Sequence, residues 1–309
     1  MSLGRADAGG TPRDERNPVV LTPKDSPVTL FEIAVDPTSW DDREKTATAI
    51  RHLAREDPSL QVRIDHETGR AVIGGEDAPR LQALIDRMRR EHRVDAAISG
   101  PQVAYRQTIR RKAGPVEVTY SKQTGGAAHY ARVWLSVEPI TDGTVYEFID
   151  RLPAGCVPAE YVSAVDAGCR EAMRFSPPTG HPMIGVRVAL LDAREHEIDS
   201  WEGSFRVAGA LAFRKAVRQA APVLLEPVMA VELTVPAGRL DGVTAGIEGR
   251  RGEVRAVRER PGARVVDALV PLAEMGGRPA PAGGAMRFDH YAEVPARIAE
   301  KLTEQGAAG

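Results

Sequence analysis

The sequence has very few cysteines and no long apolar run, and both absences exclude classes of protein. Cys156 and Cys169 are the only cysteines among 309 residues, which is too few for the disulfide framework of a small secreted domain. No apolar run approaches the roughly 20 residues that cross a bilayer as a helix. The first residues, MSLGRADAGGTPRDERN, contain no apolar stretch after their first arginine and are not a secretory signal. We expect a cytoplasmic protein without membrane contact.

The sequence also lacks an excess of charge of either sign. Its 41 basic and 43 acidic residues give a net charge of −2, which by itself does not favour nucleic acid as a partner. Any RNA footprint must therefore be local. The hydrophobic share of 42% and the charged share of 27% are those of ordinary globular proteins. A chain of 309 residues holds two or three compact domains.

A change of pattern separates an N-terminal tail from the first predicted domain. Residues 1–27 are rich in Gly, Pro, Asp and Arg and lack periodicity, which predicts a disordered tail. From Val28 onward, a strand, a helix that stops at Asp57-Pro58, a hairpin, a second helix and a short strand follow in order. The second helix places on one stripe Leu81, Leu84, Ile85 and Met88. Residues 28–99 therefore have the βαββαβ order of a ferredoxin-like domain.

Two further domains are predicted behind short linkers near Gly100 and Ala221, where we expect relative domain motion. In residues 100–222, ARVWLSV alternates as a half-buried strand, and PAEYVSAVDAGCREAMR and SFRVAGALAFRKAVRQA predict helices. Residues 223–305 again resemble βαββαβ, but GGRPAPAGGAM stands where the second helix belongs. Its glycines and prolines forbid a helix. The expected fold class is α+β, in three consecutive domains of which the last has lost its second helix.

Eight segments of the chain carry a resemblance to a known family. They are PQVAYRQTI, QTGGAAHYARVWLSVEP, VPAEYVSAVDAGCREAM, HEIDSWEGSF, LLEPVMAVELTVP, RRGEV, VPLAEM and FDHYAEVP. In order and spacing they resemble the third, fourth and fifth domains of elongation factor G, from about Val28 to Leu302. The resemblance implies two ferredoxin-like domains around a middle domain like domain 2 of ribosomal protein S5. It also implies a translation factor without its GTPase domain, because the GxxxxGK[ST] loop that cradles nucleotide phosphates is absent from the sequence.

The resemblance also implies which residues meet the ribosome. In that family, two loops at the tip of the fourth domain meet mRNA and tRNA in the decoding centre, and they correspond here to Gln123–Ala128 and Asp192–Asp199. A basic turn of the fifth domain, near the factor-binding centre of the large subunit, corresponds to Arg250–Gly252. The implied ribosome- or RNA-binding residues are Gln123, Gly125, Gly126, His129, Arg194, His196, Arg250 and Arg251.

The candidate residues do not point to catalysis or to a metal. His196 lies among acidic residues without a second His or Cys ligand at metal-binding spacing. No nucleophile is paired with a base by spacing. We therefore expect no enzyme activity, no metal and no cofactor. The first tip loop departs from the family pattern, because GGAAHYA lacks the usual arginine.

Three interpretations remain open from the sequence. The first is a ribosome-binding protein that acts by occupying the factor site, with rRNA, mRNA or tRNA, or a separate GTPase, as partners. The second is a non-ribosomal protein-interaction module that kept the fold and lost the ribosomal site. The third is that these residues are a segment of a longer GTPase.

Overall fold

Three α+β domains follow one another along the chain, each built on a sheet of its own. The computed structural model describes residues 19–22, 28–64, 70–124, 127–196, 198–276 and 284–307. Most strands of the three sheets come from the three predicted domains in turn, apart from the short strands described below. The expected fold class is thereby confirmed.

The first domain is ferredoxin-like. After a short N-terminal strand, its elements are those of a βαββαβ unit with one added strand. The elements are β1 (Val20–Leu21), β2 (Phe31–Pro37), α1 (Trp40–Glu56), β3 (Gln61–Ile64), β4 (Ala71–Gly75), α2 (Ala78–Glu91), β5 (Ala96–Ile98) and β6 (Gln102–Val103). The strand order is β3-β4-β2-β5, with β6 also paired to β2. Helix α1 begins where the Ser39 hydroxyl accepts the Asp42 N–H at 3.2 Å. Helix α2 buries the whole predicted stripe from Leu81 to Met88.

The middle domain places two helices on one face of a four-stranded sheet. Its elements are β7 (Arg106–Ile109), β8 (Ala113–Thr124), β9 (Ala127–Pro139), β10 (Tyr146–Asp150), α3 (Ala159–Arg174), β11 (Val186–Arg194) and α4 (Glu202–Gln219). The strand order is β10-β11-β9-β8, with β10 parallel to β11. The predicted alternation in β9 is confirmed, since every second residue from Ala131 to Val137 is fully buried in one core with α3 and α4. The side chains between them face away from the helices.

The third domain repeats the ferredoxin-like sheet. Its elements are β12 (Pro222–Pro236), α5 (Leu240–Glu248), β13 (Glu253–Arg260), β14 (Ala263–Pro271), β15 (Gly284–Glu293) and α6 (Ala296–Ala307). The order β15-β12-β14-β13 is that of a βαββαβ chain. Between β14 and β15, Leu272–Met275 forms a short 3-10 helix. The expected loss of the second helix falls mainly on residues 277–283, which lie outside the described residues.

Part of the predicted disordered tail is an ordered strand, so that prediction is wrong for residues 19–22. Strand β1 pairs antiparallel with β15, Val20 opposite Ala292. Val19 and Leu21 are buried in a small core with Ile184 of the middle domain and Leu225 of the third. Val19 and Leu21 bury apolar surface here while Val20 between them stays exposed, and this burial orders a segment whose surrounding composition is polar.

The chain also lacks the free linker predicted near Ala221. Helix α4 ends at Gln219, and β12 begins at Pro222. The first four residues of β12 pair with β7, from Pro222 opposite Ile109 to Leu225 opposite Arg106. Strand β7 precedes the middle domain's sheet, so the middle domain enters and leaves through the third domain's sheet. Bending at this point would break a strand ladder, which opposes the motion expected there.

Candidate nucleic-acid interface at the tip of the middle domain

The first predicted tip loop is the end of the β8–β9 hairpin. Gln123 lies opposite Ala128 and Thr124 opposite Ala127. Gly125 and Gly126, between these strands in the sequence, lie outside the described residues. A two-residue hairpin turn requires positive φ angles, which glycine adopts without strain. Gln123 is exposed beside it.

The second predicted loop, between β11 and α4, is closed by its own hydrogen bonds. The carbonyl of His196 accepts the N–H groups of Asp199 and Ser200, both at 3.2 Å. The Ser200 hydroxyl accepts the His196 N–H at 2.8 Å. These bonds turn the chain sharply after β11, so His196 lies on the rim of the loop with its side chain largely exposed.

The two loops are bound to each other along the start of β9. The Tyr130 N–H donates to the Asp199 carbonyl at 2.8 Å, and the Ser200 hydroxyl donates to the Tyr130 carbonyl at 2.8 Å. The second loop therefore continues the sheet edge beside the hairpin. This contact places the hairpin that carries Gln123 and His129 beside the loop that carries His196.

Four aromatic or imidazole rings gather where the loops meet. The indole Nε1 of Trp201 donates to His129 Nδ1 at 2.8 Å, and their ring centroids are 5.6 Å apart. Since His129 accepts at Nδ1, its proton sits on Nε2. The rings of Tyr130 and His196 meet edge to face at 6.2 Å. The imidazole of His196 also lies 3.2 Å from the Asp199 carboxylate.

Two exposed apolar side chains at this tip were not predicted from the sequence. Ile198 is 87% exposed and Trp201 is 54% exposed. The indole of Trp201 lies against Gly203, where an added Cβ would come within 2.3 Å of the ring. Its position is therefore set by His129 on one side and by the first turn of α4 on the other. The sequence feature that could have predicted an exposed ring here is a single tryptophan within the polar segment HEIDSWEGSF.

The two arginines near the tip each lie beside a carboxylate. The guanidinium of Arg194 lies 5.4 Å from the Trp134 ring and 3.9 Å from the Asp192 carboxylate. Arg132 lies on the same ring at 4.8 Å and donates to Glu117 at 2.7 Å. Because each arginine has a carboxylate neighbour, the tip offers stacking surfaces and hydrogen bonds more than net positive charge.

The two arginines predicted in the third domain differ in what they contact. Arg250 is exposed. Arg251, at φ +56°, donates to both oxygens of Glu226 at 2.5 and 3.0 Å and to Glu274 at 2.6 Å. These hydrogen bonds, opposed by partial burial, raise the pKa of Arg251 above its ordinary value. Glu226 is almost fully buried, so Arg251 stabilises this domain through three of its five guanidinium N–H groups.

The described residues contain neither a metal-binding cluster nor a membrane-spanning helix. Within the described ranges, no group of three His, Cys, Asp or Glu side chains is placed to hold a metal ion. No described helix is both long and apolar enough to span a membrane.

Three consecutive segments of the chain match known protein families. Residues 26–100 match the family "Elongation Factor G, domain III". Residues 101–221 match the family "Elongation factor G, domain IV". Residues 223–278 match the family "Elongation factor G C-terminus". The chain belongs to the elongation factor G family. The hairpin and loop described above thus lie within its domain IV, and Arg250 and Arg251 lie within its C-terminal domain.

A crystal structure of a protein from Thermus thermophilus is similar over nearly the whole chain. The sequences are 32% identical, and the TM-score is 0.63. The similarity covers 93% of this chain and 44% of the other. This chain therefore spans less than half the length of that relative. The matched domains are the three that the sequence resemblance implies, which confirms the resemblance.

Proposed function

We propose that this elongation factor G-like chain binds the ribosome with the domain IV tip directed toward the decoding centre. The observation that carries the proposal is the joined tip, in which hydrogen bonds between Tyr130, Asp199 and Ser200 hold both loops at one end of the domain. A rigid tip loses little conformational freedom when it binds, which favours recognition of a preformed RNA surface.

The exposed rings suit unstacked RNA bases. Trp201 and His196 present ring surface to solvent while their polar atoms are held by His129 and Asp199. Single-stranded RNA is commonly recognised by stacking of its bases on such side chains. One base stacked on an aromatic side chain contributes about 1–3 kcal/mol. Since the tip arginines already lie beside carboxylates, we expect binding to depend only weakly on salt concentration.

The proposed mode of action is occupancy of the factor site. The 309 residues contain no GxxxxGK[ST] motif, the loop that would hold nucleotide phosphates. These residues would then compete with a complete factor or stabilise one ribosomal state, and any GTP hydrolysis would come from another protein or segment. Steady-state phosphate release from GTP by the purified chain, above that of buffer, would contradict this part of the proposal.

Cosedimentation with ribosomes at physiological salt tests the binding. Variants Trp201→Ala and His196→Ala should each weaken binding, Trp201→Ala by roughly tenfold, as expected for the loss of one stacked base. His52→Ala is the matched control, because His52 is likewise exposed (63% against 55% for His196) and lies 3.1 Å from the Glu56 carboxylate.

Three outcomes distinguish ribosome binding through the tip from the alternative of a non-ribosomal interaction module. Selective weakening by the two tip substitutions supports it. Equal binding of all variants would move the contact to another surface. Absence of the unmodified chain from the ribosomal pellet, together with recovery of one stoichiometric protein partner in a pull-down, would instead favour a non-ribosomal interaction module.

A further inference from the structure

A small cavity lies where the three domains meet. Its volume is about 180 Å³. The first domain contributes Glu32 and Arg63 to its lining, and the third domain contributes Tyr291. The middle domain contributes Ile184 and, from strand β7, Arg106. Domain junctions are a common place for ligand sites in proteins.

Two arginines in this cavity share one carboxylate. Arg106 donates to Glu32 Oε1 at 2.8 Å, and Arg63 donates to Glu32 Oε2 at 2.6 Å. The side chains of Glu32, Arg63 and Arg106 are only 12%, 15% and 12% exposed. The cluster therefore carries one positive charge in excess, shielded from solvent. A shielded charge without a counter-charge is unfavourable, so this position favours an anion.

Both guanidinium groups retain unused donors. Arg63 also donates a hydrogen bond to the Arg174 carbonyl at 2.9 Å. Arg106 donates one to the Tyr105 carbonyl at 2.9 Å. Within the described part of the chain, the Nε groups of both arginines and Nη2 of Arg106 make no hydrogen bond. Both arginines line the cavity, so these N–H groups are placed to meet a ligand bound in it.

The other charged groups nearby do not cancel the excess. Glu293, on the strand that carries Tyr291, is paired with Arg110. His181 lies close enough for both cavity arginines and Glu32 to act on it, but burial lowers its pKa to about 4. Its imidazole is therefore neutral near pH 7 and adds no charge of either sign.

We propose that this junction binds one small oxyanion of the phosphate class. The volume is below the roughly 300–1,000 Å³ of pockets for drug-sized ligands, which excludes a nucleotide. Water occupies about 30 Å³ per molecule, so a tetrahedral oxyanion with its remaining waters fits. Guanidinium groups hold such anions through paired N–H donors. The bound anion would contact Arg63 of the first domain and Arg106 of strand β7. Because β7 is part of the third domain's sheet, the anion would link the first domain to the third.

Isothermal titration of the full chain with potassium phosphate, at constant ionic strength set with potassium chloride, tests the site. We expect one phosphate per chain. Arg63→Met removes the excess charge and should weaken binding by about tenfold or more, the loss expected for one charge-assisted hydrogen bond. Glu32→Gln keeps both arginines, raises the excess to two positive charges and should tighten binding. Arg258→Met is the control, because Arg258 contacts two carboxylates on the third domain, away from this lining.

The Glu32→Gln variant keeps the test decisive if Arg63→Met fails to fold, since the two substitutions are expected to act in opposite directions. Phosphate binding at one site that is lost in Arg63→Met and strengthened in Glu32→Gln supports the assignment. No heat beyond dilution with phosphate would overturn it, as would unchanged binding in Glu32→Gln or equal weakening by Arg258→Met.

Discussion

The contact between helices α3 and α4 leads to a prediction that can be worked through from the structure. Gly168 in α3 faces the backbone of α4, and a Cβ built on it would lie 2.0 Å from the Arg206 carbonyl oxygen. Gly209 in α4 faces Val165 in the same way, with 2.7 Å to its carbonyl oxygen. The two glycines therefore let the helix backbones approach each other closely. We predict that Gly168→Ala destabilises the middle domain.

The expected magnitude follows from two opposing effects. In a helix, alanine is favoured over glycine by roughly 1 kcal/mol. Against this, the new methyl group meets backbone rather than a side chain, so no rotamer change can relieve the clash. The helices would have to separate by at least about 1 Å, and such overpacking costs roughly 1–3 kcal/mol or more. We expect a net loss near 2 kcal/mol in the free energy of unfolding.

Urea unfolding followed by tryptophan fluorescence measures this loss, because two of the three tryptophans, Trp134 and Trp201, lie in the middle domain. Gly246→Ala in α5 is the matched control, since nothing lies within 4 Å of the position of its added Cβ. That substitution should stabilise the third domain by roughly 0.5–1 kcal/mol. Because the third domain contains no tryptophan, its unfolding is followed by far-ultraviolet circular dichroism. A Gly168→Ala protein as stable as the unmodified chain would refute the reasoning about the helix contact.

Three further predictions concern the domain junctions and the third domain. Arg251→Met leaves Glu226 buried without its partner and should cost about 3 kcal/mol in urea unfolding, whereas exposed Arg250→Met should change stability by less than about 0.5 kcal/mol; equal effects would show that Arg251 is not structural. Leu21→Ala should cost about 2–4 kcal/mol at the junction core and increase amide hydrogen exchange in β15; unchanged exchange would contradict the role of β1. Burial lowers the pKa of His181 to about 4. Between pH 6.5 and pH 4, His181 is therefore protonated in the unfolded chain and neutral in the folded chain. Stability should therefore fall by up to about 3 kcal/mol as the pH drops from 6.5 to 4, and His181→Gln should remove that part of the decline.

The regular elements were predictable because their signals are local. The stripe from Leu81 to Met88 has helical spacing, and the alternation from Ala131 to Val137 has strand spacing. Both patterns are buried as expected. The βαββαβ order of the first domain followed from such segments alone, and its sheet has the matching strand order.

The candidate site was only partly predictable. Its two loops were identified through a family resemblance carried by local segments, but the hydrogen bonds from Tyr130 to Asp199 and Ser200 join residues about 70 positions apart. Trp201 was missed, because an exposed ring cannot be told from a buried one by a single residue in a polar segment. Arg251 was predicted to meet RNA, yet its hydrogen bonds to Glu226 and Glu274 depend on strands that meet only in the folded domain.

What the amino-acid order determined on its own was most of the helices and strands, their grouping into three α+β domains and the family they belong to. Those properties rest on periodicities and motifs within short stretches of chain, where backbone geometry couples neighbouring residues. The tertiary structure alone decided that β1 and β7 join the third domain's sheet, that the tip rings converge, and that Arg63 and Arg106 share Glu32. Each of these is a contact between segments far apart in sequence, set by the packing of whole domains.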